Sequence, residues 1–571
     1  MKKISLRLAA LLTTAAPLTL GAAPAYWDSN GPTPGAGGTP TGNWGVDAFW
    51  STDPTGSSGT GAWVPSDTAI FAAGADATNP YTVTVTGTQT VGGLNVEEGT
   101  VSIAVGTVAL GANHIVVSPG ATLSTDSSLR ISATAGSTVT LNGGTLRTTN
   151  GGAAGTFFDV DSELILGPAG GTFSHTTANI LNIVQTASRI TGTGSLTKTG
   201  AGVLAIASTA GNNTYSGGTF VNEGELRMRT IVNTLPITTA MTVNSPGIFN
   251  LNGISTQIGS LTGAGLVGLG AGTLTVGNAT STTYAGSIRD IANAGASGVT
   301  TGAGSVIKVG AGTLTFTGVN THTGTTTLSA GGITVDPGAS LSGATANLAV
   351  NGGTLNLNNA AQTIKNLSST GAAGTINLGA GHTLTTDPIA SSTYSGTIAG
   401  PGGLTKLNVA SGATNRTLTL SGPNTYDGNT LINGGNISVA SATALGSTVG
   451  FTEVASGAEA LFTGAGTNFT VGESFRIAGA GNTDAGAIAV IASASPTFSG
   501  PITLTGDATV TVSSSASATF SNAAAFTSLT NQSLTLAGGS NPAGVKLITG
   551  AIALGTGGLT KTQGGQWTLA G

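Results

Sequence analysis

The sequence predicts an all-β chain wound as a right-handed parallel β-helix with an aromatic N-terminal cap, and three observations carry that reading. One short phrase recurs four times, runs of alternating apolar and polar residues are punctuated by glycine turns, and only 7% of the residues are charged. Repetition of supersecondary size means stacked units that share a core. Alternation with period two means strands with one face inward, and crossovers between parallel strands favour the right hand.

The repeated phrase is a strand, a glycine turn and a second strand. It occupies Gly194 to Leu204, Gly304 to Phe316, Gly403 to Lys406 with a resumption at Arg416 to Leu420, and Gly558 to Leu569. Each copy holds one lysine, Lys198, Lys308, Lys406 or Lys561, and these are expected at equivalent corners or edges. In Thr313-Leu314-Thr315-Phe316 the alternation sends Leu314 and Phe316 inward and the threonines outward. Gly200, Gly202, Gly310 and Gly312 are expected to supply the positive φ angles of tight turns.

Three copies carry a second phrase downstream. It reads Asn213-Thr214-Tyr215-Ser216-Gly217-Gly218-Thr219, Asn320-Thr321-His322-Thr323-Gly324-Thr325-Thr326 and Asn424-Thr425-Tyr426-Asp427-Gly428-Asn429-Thr430. Asn320 and Asn424 are expected at corners, either in left-handed geometry or with their amides stacked between coils. The composite resembles the autotransporter-associated beta strand repeat, also called the passenger-associated transport repeat, which surface-exposed passengers of Gram-negative bacteria carry. The resemblance implies a secreted, surface-displayed structural passenger or adhesin-like scaffold whose repeats assist export through the outer membrane. It implies the outer-membrane export machinery as a partner, with a surface glycan or a host or neighbouring cell surface as the target to expect.

The scarcity of charge fits a solenoid, where equivalent positions lie about 4.8 Å apart and a column of like charges would repel itself. Positive mean hydropathy with few charges is the opposite of a disordered composition. An acidic chain without basic clusters argues against nucleic acid as partner. The absence of cysteine excludes disulfides, thiolate zinc sites and a cysteine nucleophile.

Along the chain, residues 1–25 read as a signal peptide: Lys2, Lys3 and Arg7 precede the apolar stretch Leu8 to Leu20, and Ala23-Pro24-Ala25 is a small-residue cleavage site. No later apolar run is long enough for a transmembrane helix in the mature chain. Residues 26–80 hold Trp27, Trp44, Trp50 and Trp63, and are expected to cap the first coil; a carbohydrate-stacking platform is the alternative. Residues 81–190 are expected to form degenerate coils, and 191–571 the repeat-bearing β-helix. No β-barrel pattern follows, and Gly571 interrupts a repeat copy, so the C-terminus is expected to be incomplete.

No catalytic, cofactor-binding or metal-ligating residue is assigned. His114, His175, His322 and His382 are far apart, and His322 occupies the repeat position of Tyr215 and Tyr426, a structural variant. Gly263 to Gly268 matches G-x-G-x-x-G in a chain of 93 glycines, and no helix follows to receive a phosphate. Gly479 to Asp484 resembles a calcium nonapeptide but does not recur. Asp159, Asp161 and Glu163 alternate onto one strand face, where a solvated outer face is expected rather than a cation site. A β-helical polysaccharide lyase or hydrolase would need clustered basic and acidic groups, and the sequence presents none. The chain is therefore expected not to be an enzyme.

Overall fold

The computed structural model describes residues 22–125, 130–134, 136–149, 155–156, 162–177, 180–185, 189–208, 213–229, 234–290, 302–358, 361–371, 373–407, 416–464, 466–482, 485–539 and 544–571. The basic and apolar stretches of the expected signal peptide lie outside these residues, as do Asp159, Asp161, Thr483 and Asp484. The described part is all-β without an α-helix, a parallel β-solenoid of about 19 turns. Among the described residues no helix is long and apolar enough to cross a membrane. The chain divides into two compact units, Met1–Arg147 with Asp161–Glu163, and Thr148–Val160 with Leu164–Gly571.

In the first unit the chain visits three faces in turn. Gly93–Val96, Thr100–Ala104 and Thr107–Gly111 are followed by His114–Val117, which pairs in parallel register with Gly93–Val96. Leu94, Ile115 and Val139 stack in one buried file. Pairing reaches back into the tryptophan-rich segment: Gly93–Val96 pairs with Thr68–Phe71, which pairs with Pro24–Trp27. One departure is antiparallel, where Tyr26 and Trp27 pair with Ser51 and Trp50.

The second unit repeats the same rule. A parallel sheet runs through Thr313–Phe316, Gly332–Val335, Thr354–Leu357, Thr375–Leu378 and Thr397–Ala399. Leu314, Ile333, Leu355, Ile376 and Ile398 form one buried file, and Phe316, Val335, Leu357 and Leu378 the next. Thr313 and Thr315 face the other way and are half-buried. The inward and outward assignments drawn from alternation therefore hold. Burying each large apolar side chain contributes about 1.5–3 kcal/mol before ordering entropy is counted.

Toward the end of this unit the long strand Ile502–Val512 serves two faces at once. Its first part pairs with Phe475–Ile477, and its later part with Ile488–Val490.

The files predict an asymmetry between the two faces of a strand. Leu355→Ala should destabilise the local coils by about 2–5 kcal/mol, the range for large-to-small core substitutions. Thr354→Ser, on the outward face, should stay within about 0.5 kcal/mol. Native-state hydrogen exchange of the Thr354–Leu357 amides measures both; equal loss of protection would overturn the assignment of faces.

Candidate functional site

The recurring phrases build a polar clamp inside an otherwise apolar solenoid. Asn213, Asn320 and Asn424 are buried, and each reaches one coil back and one coil forward. Asn213 Oδ1 accepts from the Ile190 amide at 2.7 Å while its Nδ2 donates to the Thr234 carbonyl at 2.7 Å. Asn320 bridges the Ile288 amide and the Ser340 carbonyl at 2.9 and 2.8 Å. Asn424 bridges the Ile398 amide and the Ala444 carbonyl at 2.8 and 2.6 Å. Of the two roles expected for Asn320 and Asn424, the amide placed between coils is the one realised, and Asn213 shares it.

Two residues on stands the aromatic of the clamp, also buried. Tyr215 Oη shares a hydrogen bond with Thr219 Oγ1 at 2.6 Å, and Tyr426 Oη with Thr430 Oγ1 at 2.5 Å. In the middle copy His322 Nε2 meets Thr326 Oγ1 at 2.9 Å. The imidazole thus substitutes for a phenol, as its repeat register predicts. Burial pulls its pKa down to about 4, so it is neutral at physiological pH. The four-residue spacing from aromatic to threonine is visible in the phrase, yet the threonine's role shows only once the side chains meet.

The lysines correct an expectation. Lys198, Lys308 and Lys406 are buried and point inward, each on a different sheet, so they do not form one column of corners or edges. Their methylene stems lie among core side chains, and the ammonium groups cap backbone carbonyls at the turn. Lys198 Nζ donates to the carbonyls of Thr199, Gly200 and Glu223 at 2.8, 2.6 and 3.1 Å. Lys308 Nζ reaches Val309 and Gly310, and Lys406 Nζ reaches Gly434 at 2.8 Å. Lys561 is exposed but donates to the Gln563 carbonyl in the same manner. Burial lowers the pKa of Lys198 and Lys406 to about 8.

The turn glycines divide into two kinds. Gly200 and Gly310 have positive φ, at 75° and 70°. Gly202 and Gly312 do not; their requirement is space, since a Cβ would lie 2.1 Å from the Thr177 carbonyl oxygen or 2.2 Å from that of Thr280.

The remaining candidates are dispersed. His114 is exposed, His175 buried and His382 half-buried, each on its own coil. Among the described residues no group of three or more histidine, aspartate or glutamate side chains could hold a metal ion. Gly263 to Gly268 links two strands, Ser260–Gly263 and Leu266–Gly268. Glu163 is half-buried at the start of Glu163–Leu166. In the first unit Trp27, Trp44 and Trp50 are buried against one another and Phe71, with Trp63 half-buried on Trp50 at 4.6 Å between centroids. Three of the four indoles therefore offer no open face for stacking a sugar.

The clamps coincide with what the chain is similar to. The family model of the passenger-associated-transport-repeat matches residues 196–228, 306–335 and 416–439, which hold all three asparagine–aromatic–threonine sets. Over an alignment 400 residues long that covers 65% of the chain, it is 32% identical to the protein named adhesin BmaC autotransporter of Brucella suis biovar 1 (strain 1330). The chain spans about a tenth of that relative's length. No solved structure matches.

Two outcomes follow from the clamp geometry. Asn320→Ala leaves a buried amide and a half-buried carbonyl without their side-chain partner and should cost about 1–3 kcal/mol, read from the unfolding transition with Asn320→Asp for comparison. His322 has a folded-state pKa of about 4 against 6.5 unfolded, so the unfolded chain binds more protons between these values. Its stabilising share is whole above pH 6.5 and is lost as pH falls toward 4. His322→Tyr should fold and should flatten that acid dependence; an unchanged acid profile would refute the assignment.

Proposed function

We propose that this chain, which carries passenger-associated-transport repeats, is part of a secreted autotransporter passenger displayed on the surface of a Gram-negative cell. There it serves as an adhesin-like β-solenoid scaffold and not as a catalyst. The observation that carries the reading is the buried clamp, built three times in the segments that the family model matches. The likeness to an autotransporter adhesin supports the same reading.

The clamp gives the export role a physical basis. A coil that docks on its predecessor gains ladder hydrogen bonds, a file of apolar contacts and, at a clamp, two amide bridges. Each newly emerged coil is thereby fixed before the next arrives, and backward slippage must break a buried polar set. The partner that this role requires is an outer-membrane export domain. An adhesive target, a surface glycan or a neighbouring or host cell surface, would meet the outward threonine-rich faces. The tryptophan-rich residues 26–80 act as the cap of the first coil.

Fusing the chain ahead of an outer-membrane β-barrel tests this directly. Wild type should reach the surface, become accessible to external protease and antibody, and increase cell adhesion to a glycan or host-cell panel. A variant with Asn213, Asn320 and Asn424 all changed to alanine should accumulate behind the membrane. Surface delivery of that variant at the wild-type rate would refute the export role; undiminished adhesion by cells lacking the chain would refute the adhesive one.

A further inference from the structure

The third clamp continues into a feature that the scaffold role leaves unused. Above Tyr426 and Thr430 the next inward hydroxyl is Thr452, in register with Thr430, and Thr452 Oγ1 donates to Glu473 Oε1 at 3.3 Å. Glu473 is only 5% exposed. It lines a cavity of about 190 Å³ together with Val439, Leu445, Ser447, Thr448 and Val471. Among the described residues, no lysine, arginine or histidine is in that lining. Ser447 of the lining donates to the exposed Asp427 at 2.7 Å.

We propose that this cavity binds a primary ammonium group on a short aliphatic stem, with Glu473 as its counter-ion. Three points converge on that chemistry. A carboxylate at a partly enclosed cavity with no cation beside it is unfavourable unless protonated or paired. The cavity has room for roughly six waters, which suits a four-carbon amine. Val439, Leu445 and Val471 give the stem an apolar wall, while Ser447 and Thr448 supply hydroxyl acceptors for ammonium protons. The chemistry is that of a lysine side-chain end. This site is independent of the passenger reading and would stand if that reading failed.

Burial raises the carboxyl of Glu473 to about 7, so amine binding should weaken as pH falls below that value. The titratable group that interacts with it is Tyr426, which burial keeps neutral; Asp427 is exposed and is bonded to Ser447 of the lining. Glu453 and Arg476 lie on the outward face of the same sheet.

Calorimetry and amide chemical shifts on the whole chain, with n-butylammonium as probe and n-butanol as its neutral match, test the assignment. At pH 8 butylammonium should bind about tenfold or more tightly than butanol, shift the amides around Val471 and Glu473, and weaken at pH 5.5. Glu473→Gln should remove the preference for the amine. Should that variant fail to fold, Val471→Phe, which fills the cavity and keeps the carboxylate, must abolish binding instead. No binding to wild type, equal binding of butanol, or undiminished amine binding by folded Glu473→Gln would overturn the proposal. Glucosamine binding as tightly as butylammonium would overturn the aliphatic stem, and displacement by equimolar magnesium the ammonium.

Discussion

Everything in this chain rests on one constraint: a coil can satisfy its backbone only by lying in register on the coil beside it. The inter-coil ladder is parallel almost throughout, and few short strands could persist alone. Register then dictates composition. Because residue n of one coil lies directly on its counterpart in the next, side chains must tolerate their own kind at about 4.8 Å. Aliphatic files inside and threonine or asparagine outside meet that demand. Asn377, for example, donates to Asn356 on the strand before it at 2.8 Å.

Polar clamps within such a core need a physical reason. A purely apolar interior is forgiving of slippage, since one branched aliphatic packs much like another. A buried asparagine with one fixed donor and one fixed acceptor has a single satisfied position. The three asparagines, with their aromatic–threonine pairs and turn-capping lysines, thus convert a generic stack into one with a defined register. Where a histidine replaces the tyrosine, the bond to threonine survives, so what the site requires is a buried aromatic with a polar tip.

Much of this was legible in the sequence, and the exceptions share a cause. Period-two alternation sorts Leu314 and Phe316 from Thr313 and Thr315 without reference to any partner. Repeat register likewise explains His322. The same alternation sets Lys198 on the side of Leu196, whereas its recurrence in each repeat copy predicts an equivalent corner or edge. The turn carbonyls that receive it cannot be seen until the chain has folded over itself. The turn phrase predicts positive φ at Gly202 and Gly312, whereas a neighbouring coil's carbonyl is what excludes a side chain there. The cavity at Glu473 joins residues from successive coils, and no local pattern announces it. Intra-strand information is printed in the sequence; inter-coil contacts depend on which stretches stack.

The asparagine of each clamp bridges a group one coil behind and a group one coil ahead. The copies also sit on different sheets of the solenoid. Whole coils between clamps can therefore be duplicated or deleted without disturbing a single clamp, provided the change is an integral number of turns. An insertion or deletion of part of a coil would instead shift every file and break the clamp bridges beside it. The length of such a solenoid is thereby decoupled from the stability of its parts, and the four phrases need no even spacing.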